Sequence, residues 1–196
     1  MSPDERLGEW APATIEERLD RMESYAAIQQ LVSRYARALD ARDIDAVVSM
    51  FSPQVQATSD ESGRDALVRY LSVLMSRMRT SVHLVCNHVI DFHDADRASG
   101  VVYCRDELER PDTGEWVVGA IQYWDDYARI DGTWCIVRRR IHRWYLTDWL
   151  ERPTPGAGVE TFPQIRERLL PDAYHSWHAF WEANPGPWEA TAIDGV

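Results

Sequence analysis

Apolar residues recur along the chain first with a helical period and then with a strand-like one. Thr14 and Glu17 form a T-x-x-E capping box. After it, Ile28, Leu31, Val32, Tyr35 and Leu39 return at three- and four-residue intervals, which predicts a helix ending near Asp40. Asp43 is a candidate N-cap for a short second helix, "IDAVVSMF", stopped by Pro53, so "DARD" must be a tight helix–helix connection. Leu67, Tyr70, Leu71, Leu74, Met75 and Met78 repeat the helical spacing and predict a third helix.

From Thr80 the pattern changes. Residues 80 to 92, roughly 99 to 109, 115 to 130 and 133 to 149 are strand-like runs separated by "DADRASG", "RPDTG" and "IDG". Four long strands joined by short Gly/Asp turns make an antiparallel meander. Helices followed by a curled antiparallel sheet define the α+β class, with the helices packed across one face of the sheet. Near Arg152 the composition shifts to "RPTPGAGVET", a Pro/Gly linker, and then to a segment in which Pro171 divides two short helices. The expected division is a domain over 1–150 and a helical extension over 151–196.

Composition narrows the function classes. The chain has 196 residues, 45% of them hydrophobic and 27% charged, which suits one soluble globular domain with an appendage. No segment approaches the ~20 consecutive apolar residues of a membrane span. The acidic N-terminus "MSPDERLGEW" carries no secretory signal pattern, so the expected location is cytoplasmic. A net charge of -11 argues against nucleic acid as a partner. Cys86, Cys104 and Cys135 form no CxxC and sit in apolar runs, where they read as small buried hydrophobes.

The set "AIQQLVSRYARALDARDIDAVVSMF", Gly63 leading a helix, "TSVHLVCN" and "YARIDGTWCIV" resembles the SnoaL-like branch of the nuclear transport factor 2 superfamily, over about residues 24 to 149. That branch includes scytalone dehydratase, hexachlorocyclohexane dehydrochlorinase, bile-acid dehydratases and polyketide cyclases. The resemblance implies a cone-shaped α+β barrel: a curled sheet closed by N-terminal helices around an inner pocket. In its eliminating enzymes an Asp at the end of the first long helix and a His early in the first long strand form a catalytic dyad. Asp40 and His83 stand at those positions. Tyr35, five residues before Asp40, matches a catalytic tyrosine of the steroid dehydratases, and an Arg of the last strand falls near Arg139.

Residue chemistry fits that implication and leaves alternatives. An imidazole titrates near neutral pH, so His83 can serve as a general base whose tautomer Asp40 fixes, or it can be a core histidine bonded to backbone or water. Tyr35 lies on the apolar face of its helix, where it is either core packing or a donor to a developing negative charge. Of Arg138, Arg139 and Arg140, only Arg139 shares parity with Val137 and Ile141, which aims it inward. Strand alternation also puts Asn87 on the His83 face and His88 on the opposite one among apolar residues, while Asp106 and Tyr123 are candidate pocket residues by register.

The even-numbered face of the first strand, Val82, Leu84, Cys86, Ile90 and Phe92, is apolar, so something must cover it; a homo-oligomer, dimer or trimer, is expected. Nine Trp and eight Tyr point to an aromatic or polycyclic ligand. Tyr174, Trp177 and Trp181 share a face of the C-terminal helix, with Trp177 a candidate substrate contact if that helix is a lid; docking on its own or a neighbouring subunit is the alternative.

No metal is expected. His83 and His93 are about 33 Å apart on an extended strand at ~3.3 Å per residue, and His175 and His178 have no evident third ligand. No phosphate loop, dinucleotide fingerprint or nucleophile elbow is present, so no cofactor is indicated. With no cofactor indicated, the resemblance and its Asp40, His83, Tyr35 and Arg139 imply a cofactor-independent lyase that eliminates water, or halide or a small fragment such as formaldehyde, from a hydrophobic small molecule. An isomerase or cyclase with the same base, and a non-catalytic binding module, are the alternatives.

Overall fold

The structure, a computed structural model, describes residues 10–151, 170 and 173–183. Helix α1 (Ile15–Asp40) begins at the capping box: the Glu17 amide donates to the Thr14 hydroxyl, and the Thr14 amide donates to the Glu17 carboxylate. Its second half buries Ile28, Val32, Tyr35 and Leu39 on one face, whereas Ile15, Leu19 and Met22 remain exposed. The chain then turns through Arg42, whose φ of 59° is the left-handed conformation. Asp43 caps α2 (Ile44–Ser49) by accepting from the Ala46 amide. Gly63, at φ 93°, leads α3 (Arg64–Met75); a side chain is strained at that φ, which is what the glycine supplies.

Four antiparallel strands follow in the order β1-β2-β3-β4: β1 (Thr80–Phe92), β2 (Arg97–Glu109), β3 (Trp116–Ile130) and β4 (Thr133–Asp148). The β3–β4 hairpin closes through Asp131 and Gly132, both at positive φ, as the Asp-Gly signal predicts for a two-residue loop whose twist matches the strands. Phe51, just beyond α2, bridges to Ile136, so the helical layer is tied to the sheet's β4 edge by hydrogen bonds Ser52 N to Ile136 O (2.8 Å) and Ile136 N to Met50 O (2.9 Å). The Arg129 guanidinium holds α1 to the hairpin through both oxygens of Asp20, at 2.6 and 2.9 Å.

Three bulges curl the sheet. One extra residue is absorbed between Val85 and His88 on β1, and one each between Ile136 and Arg138 and between Arg143 and Tyr145 on β4. Each bulge inverts side-chain parity beyond it. The inner face of β1 is therefore Ser81, His83 and Val85, then His88, Ile90 and Phe92. This corrects four expectations. His88 faces inward, Asn87 is exposed, Cys86 is exposed rather than a buried hydrophobe, and Ile90 and Phe92 belong to the core side. The outward apolar set of β1 shrinks to Val82, Leu84 and Val89, which weakens the premise from which an oligomer was expected.

Behind the sheet lies a second, smaller cluster. Trp124 packs with Leu170, Ala173, Val101, Trp144 and Tyr174, and the Tyr174 hydroxyl donates to Gln122 Oε1 at 2.5 Å. Helix α4 (His175–Ala183) follows at once, so the described start of the extension is seated on the outer face of the sheet. The expected linker, the helix before Pro171 and the side chain of Trp181 lie outside the described residues. Among the described residues no helix is long and apolar enough to cross a membrane.

Candidate active site

The end of α1 and the start of β1 converge on Asp40. Its Oδ1 accepts from His83 Nδ1 at 2.6 Å and from the Ser81 hydroxyl at 2.9 Å, and its Oδ2 accepts from the His83 backbone amide at 2.9 Å. Burial works against ionisation of Asp40, but the hydrogen bonds from the His83 ring and backbone and from Ser81 outweigh it and hold the carboxyl below its usual range. An ionised carboxylate has no proton to give, so Nδ1 must carry the hydrogen. Nε2 of His83 is then the ring's lone pair, on a side chain only 7% exposed.

A clamp fixes this corner. The Arg42 guanidinium donates to Leu39 O (2.8 Å), Met78 O (3.0 Å) and Ser81 Oγ (2.7 Å). It satisfies carbonyls at the end of α1 and before β1, and it forces the single Ser81 hydroxyl hydrogen toward Asp40. Neither Arg42 nor Ser81 was singled out in the sequence. The parity of Ser81 with His83 could have marked the serine; nothing local marks Arg42.

Asp106 is the cross-strand partner of His83 and faces the same side. It is buried, and its Oδ1 has no hydrogen-bond partner. The position on β3 beside it is Gly119, where a methyl group would overlap that oxygen, so glycine is what admits the carboxyl. Burial pushes the Asp106 carboxyl up from its ordinary value, against the opposing fields of the buried Arg143 guanidinium and of His83.

Arg139 does face inward, as parity predicts, although Val137, meant to share its face, is the bulged and exposed residue. Its Nε and Nη2 pair with Asp125 at 2.7 and 2.5 Å, and its guanidinium carbon sits 4.1 Å from the ring centroids of both Tyr35 and Tyr123. Burial opposes the Arg139 charge, and Asp125 more than restores it. Burial raises the Tyr35 phenol, with Arg139 pulling the other way. Tyr35 and Tyr123 are thus the two walls around Arg139, while Nη1 of the arginine is buried without a hydrogen-bond partner.

Asp125 and Tyr127 were missed, though they continue the odd-numbered inward face that contains Tyr123. The structure thus gathers His83, Asp40, Tyr35, Arg139, Tyr123 and Asp106 on the inner side. Asn87 is left outside by the bulge, and Trp177, 37% exposed, sits on α4, which follows the Ala173 and Tyr174 packed behind the sheet. No three His, Cys, Asp or Glu residues gather to hold a metal ion among the described residues.

A curled four-stranded sheet closed by helices, with an Asp–His pair at the junction, defines the cone-shaped α+β class. The SnoaL-like domain family matches residues 20–140, and the chain belongs to that family, within the nuclear transport factor 2-like superfamily. It is 27% identical over 152 residues to hexachlorocyclohexane dehydrochlorinase 1 of Sphingobium indicum, covering 74% of this chain and 93% of the relative. The crystal structure of LinA is similar with a TM-score of 0.62 and 26% identity, covering 69% of this chain and 96% of that one. A candidate scytalone dehydratase from Novosphingobium aromaticivorans shares the fold, with a TM-score of 0.59 at 21% identity, covering 69% and 94%.

Proposed function

We propose that the protein is a cofactor-independent lyase that eliminates a small fragment from a hydrophobic, aromatic or polycyclic molecule. The observation that carries this reading is the 2.6 Å contact between His83 Nδ1 and Asp40 Oδ1, with the backbone amide and Ser81 filling the remaining carboxylate sites. That arrangement leaves Nε2 as the general base and stabilises the imidazolium once a proton arrives. The similarity to a dehydrochlorinase adds support, since loss of hydrogen chloride also takes a proton from carbon.

Asp106 favours water as the fragment lost. Chloride departs as an anion without help, whereas a hydroxyl group leaves readily only when protonated, and Asp106, a carboxyl whose hold on its proton burial strengthens, is the acid for that step. In the proposed reaction His83 Nε2 takes a proton from carbon, and that C–H electron pair forms the new double bond. The C–O bond breaks with its pair on oxygen, which takes the Asp106 proton and leaves as water. The carboxylate left behind faces two cations, His83 and Arg143, and return of the imidazolium proton to Asp106 resets both groups. Tyr35, held against Arg139, contributes a phenol donor toward negative charge developing on the substrate.

The test is a panel of β-hydroxy carbonyl compounds, polycyclic alcohols and chlorinated cyclohexanes read by product mass. His83→Ala should lose ~10²- to 10⁴-fold in rate on any compound turned over. Asp106→Asn should lose a comparable factor for loss of water and little for loss of chloride. Product of unchanged mass would favour the isomerase or cyclase instead, and a folded His83→Ala with full turnover removes the base from the mechanism.

A further inference from the structure

The β1 bulge brings a second histidine to the inner face, and it is held by its own relay. The Tyr127 hydroxyl donates to Asp125 Oδ2 at 2.7 Å and lies 3.2 Å from His88 Nε2. Tyr127 has one hydrogen, and the carboxylate of Asp125, already paired with Arg139, takes it. His88 Nε2 must therefore be the donor in its contact with Tyr127, which leaves Nδ1 as a lone pair. To reach β3 from β1 the imidazole crosses β2 at Gly100, where a Cβ would lie 3.0 Å from His88 Nε2 and 3.1 Å from the Tyr127 ring. A glycine, a tyrosine and a buried ion pair thus fix one tautomer of one ring.

His88 is half-buried as a residue, like Val85 and Ile90 along the same strip of β1, whereas the His83 side chain is nearly covered. Between His83 and His88 the bulge absorbs one residue, so about four strand steps, or about 13 Å, separate them. Val85 is the inward side chain between. We propose that His88 Nδ1 is a second recognition point for the ligand. It accepts a hydrogen bond from a neutral hydroxyl at the far end of an elongated, apolar-centred molecule whose other end lies at His83. Burial lowers His88 to about 4, so the ring stays a neutral acceptor at physiological pH and is no second base. The inference rests on the proposed function only in taking the His83 end as the reacting one; the binding contact itself needs no turnover.

The test uses two probes of one shape, 4-phenylphenol and biphenyl, with binding followed by tryptophan fluorescence and the His88 ring followed by imidazole ¹⁵N resonances. The phenol should bind about three- to tenfold more tightly than biphenyl, the range of one net hydrogen bond, and should shift the His88 Nδ1 resonance. His88→Phe should abolish the preference and leave biphenyl binding intact. Tyr127→Phe, which keeps the imidazole but removes its tautomer lock, should reduce the preference. Both effects should persist in His83→Ala, so a protein with no lyase activity can still pass. Equal binding of the two probes, no binding of the phenol, or a preference that survives His88→Phe and vanishes in His83→Ala overturns the proposal.

Discussion

Asp40→Asn is the perturbation whose consequences the geometry specifies most fully. The carboxylate presents only acceptors, and three donors use them: His83 Nδ1–H, the His83 amide and the Ser81 hydroxyl. An asparagine of the same shape offers one acceptor oxygen and an NH₂ group. If the oxygen keeps the backbone amide, the NH₂ faces His83 Nδ1 and Ser81. The low-energy response is for Nδ1 to become the acceptor and for the proton to move to Nε2. The ring is then intact and in place, but its lone pair points at residue 40 and not at a substrate.

The expected loss is that of a general base, ~10²- to 10⁴-fold, or about 2.7 to 5.5 kcal/mol of transition-state stabilisation. Stability should fall by about 1 to 3 kcal/mol, less than the sum of three charge-assisted hydrogen bonds because Asp40 is a quarter exposed. The folded Asp40 carboxyl titrates below its ordinary 3.8, so its contribution is full above that value and lost as pH falls through the folded value. The stability gap between wild type and variant should close in acid. Imidazole ¹⁵N spectra read the tautomer directly: wild-type His83 should show Nδ1–H and Asp40→Asn should show Nε2–H. An unchanged Nδ1–H tautomer in the variant would refute the claim that the carboxylate sets the base.

Three further outcomes follow from neighbouring contacts. Asp106→Asn should gain stability relative to wild type as pH rises, since a carboxyl raised in the folded state stabilises only while protonated and that advantage is lost as pH passes through its folded value; urea midpoints across a pH series check this. Arg42→Ala, which removes hydrogen bonds to Leu39 at the end of α1, Met78 before β1 and Ser81 in β1, should cost about 2 to 3 kcal/mol by denaturant unfolding. Gly119→Ala should cost about 1 to 3 kcal/mol through its overlap with Asp106, and Asp106→Ala in the same chain should recover most of that, a coupling that a double-mutant cycle measures.

Periodicity located the helices and strands to within two residues at most ends, because the capping box, the Asp-Gly turn and the change of period at Thr80 are local signals. The Asp40–His83 contact was legible for a different reason: the family pattern supplied the pairing, and the helix end and strand start that hold it were both marked in the chain. What strict alternation could not carry was the bulge after Val85. An inserted residue leaves no mark in a run such as "LVCNHV", yet it exchanged the fates of Asn87 and His88 and moved Ile90 and Phe92 to the core. The buried Asp125–Arg139 pair was half visible. Parity aimed Arg139 inward, but its partner depends on β3–β4 register, which only the folded hairpin reveals. Arg42 was invisible, because its partners are two carbonyls and a serine brought together by tertiary structure.

The central claim, elimination begun by His83, is tested most directly by product mass from the hydroxylated and chlorinated panel with wild type and His83→Gln side by side. Wild type should give product lighter than substrate by the mass of water, with Asp106 required, and the folded His83→Gln should react ~10²- to 10⁴-fold more slowly. Turnover without loss of mass, or elimination at the wild-type rate by His83→Gln, would contradict it.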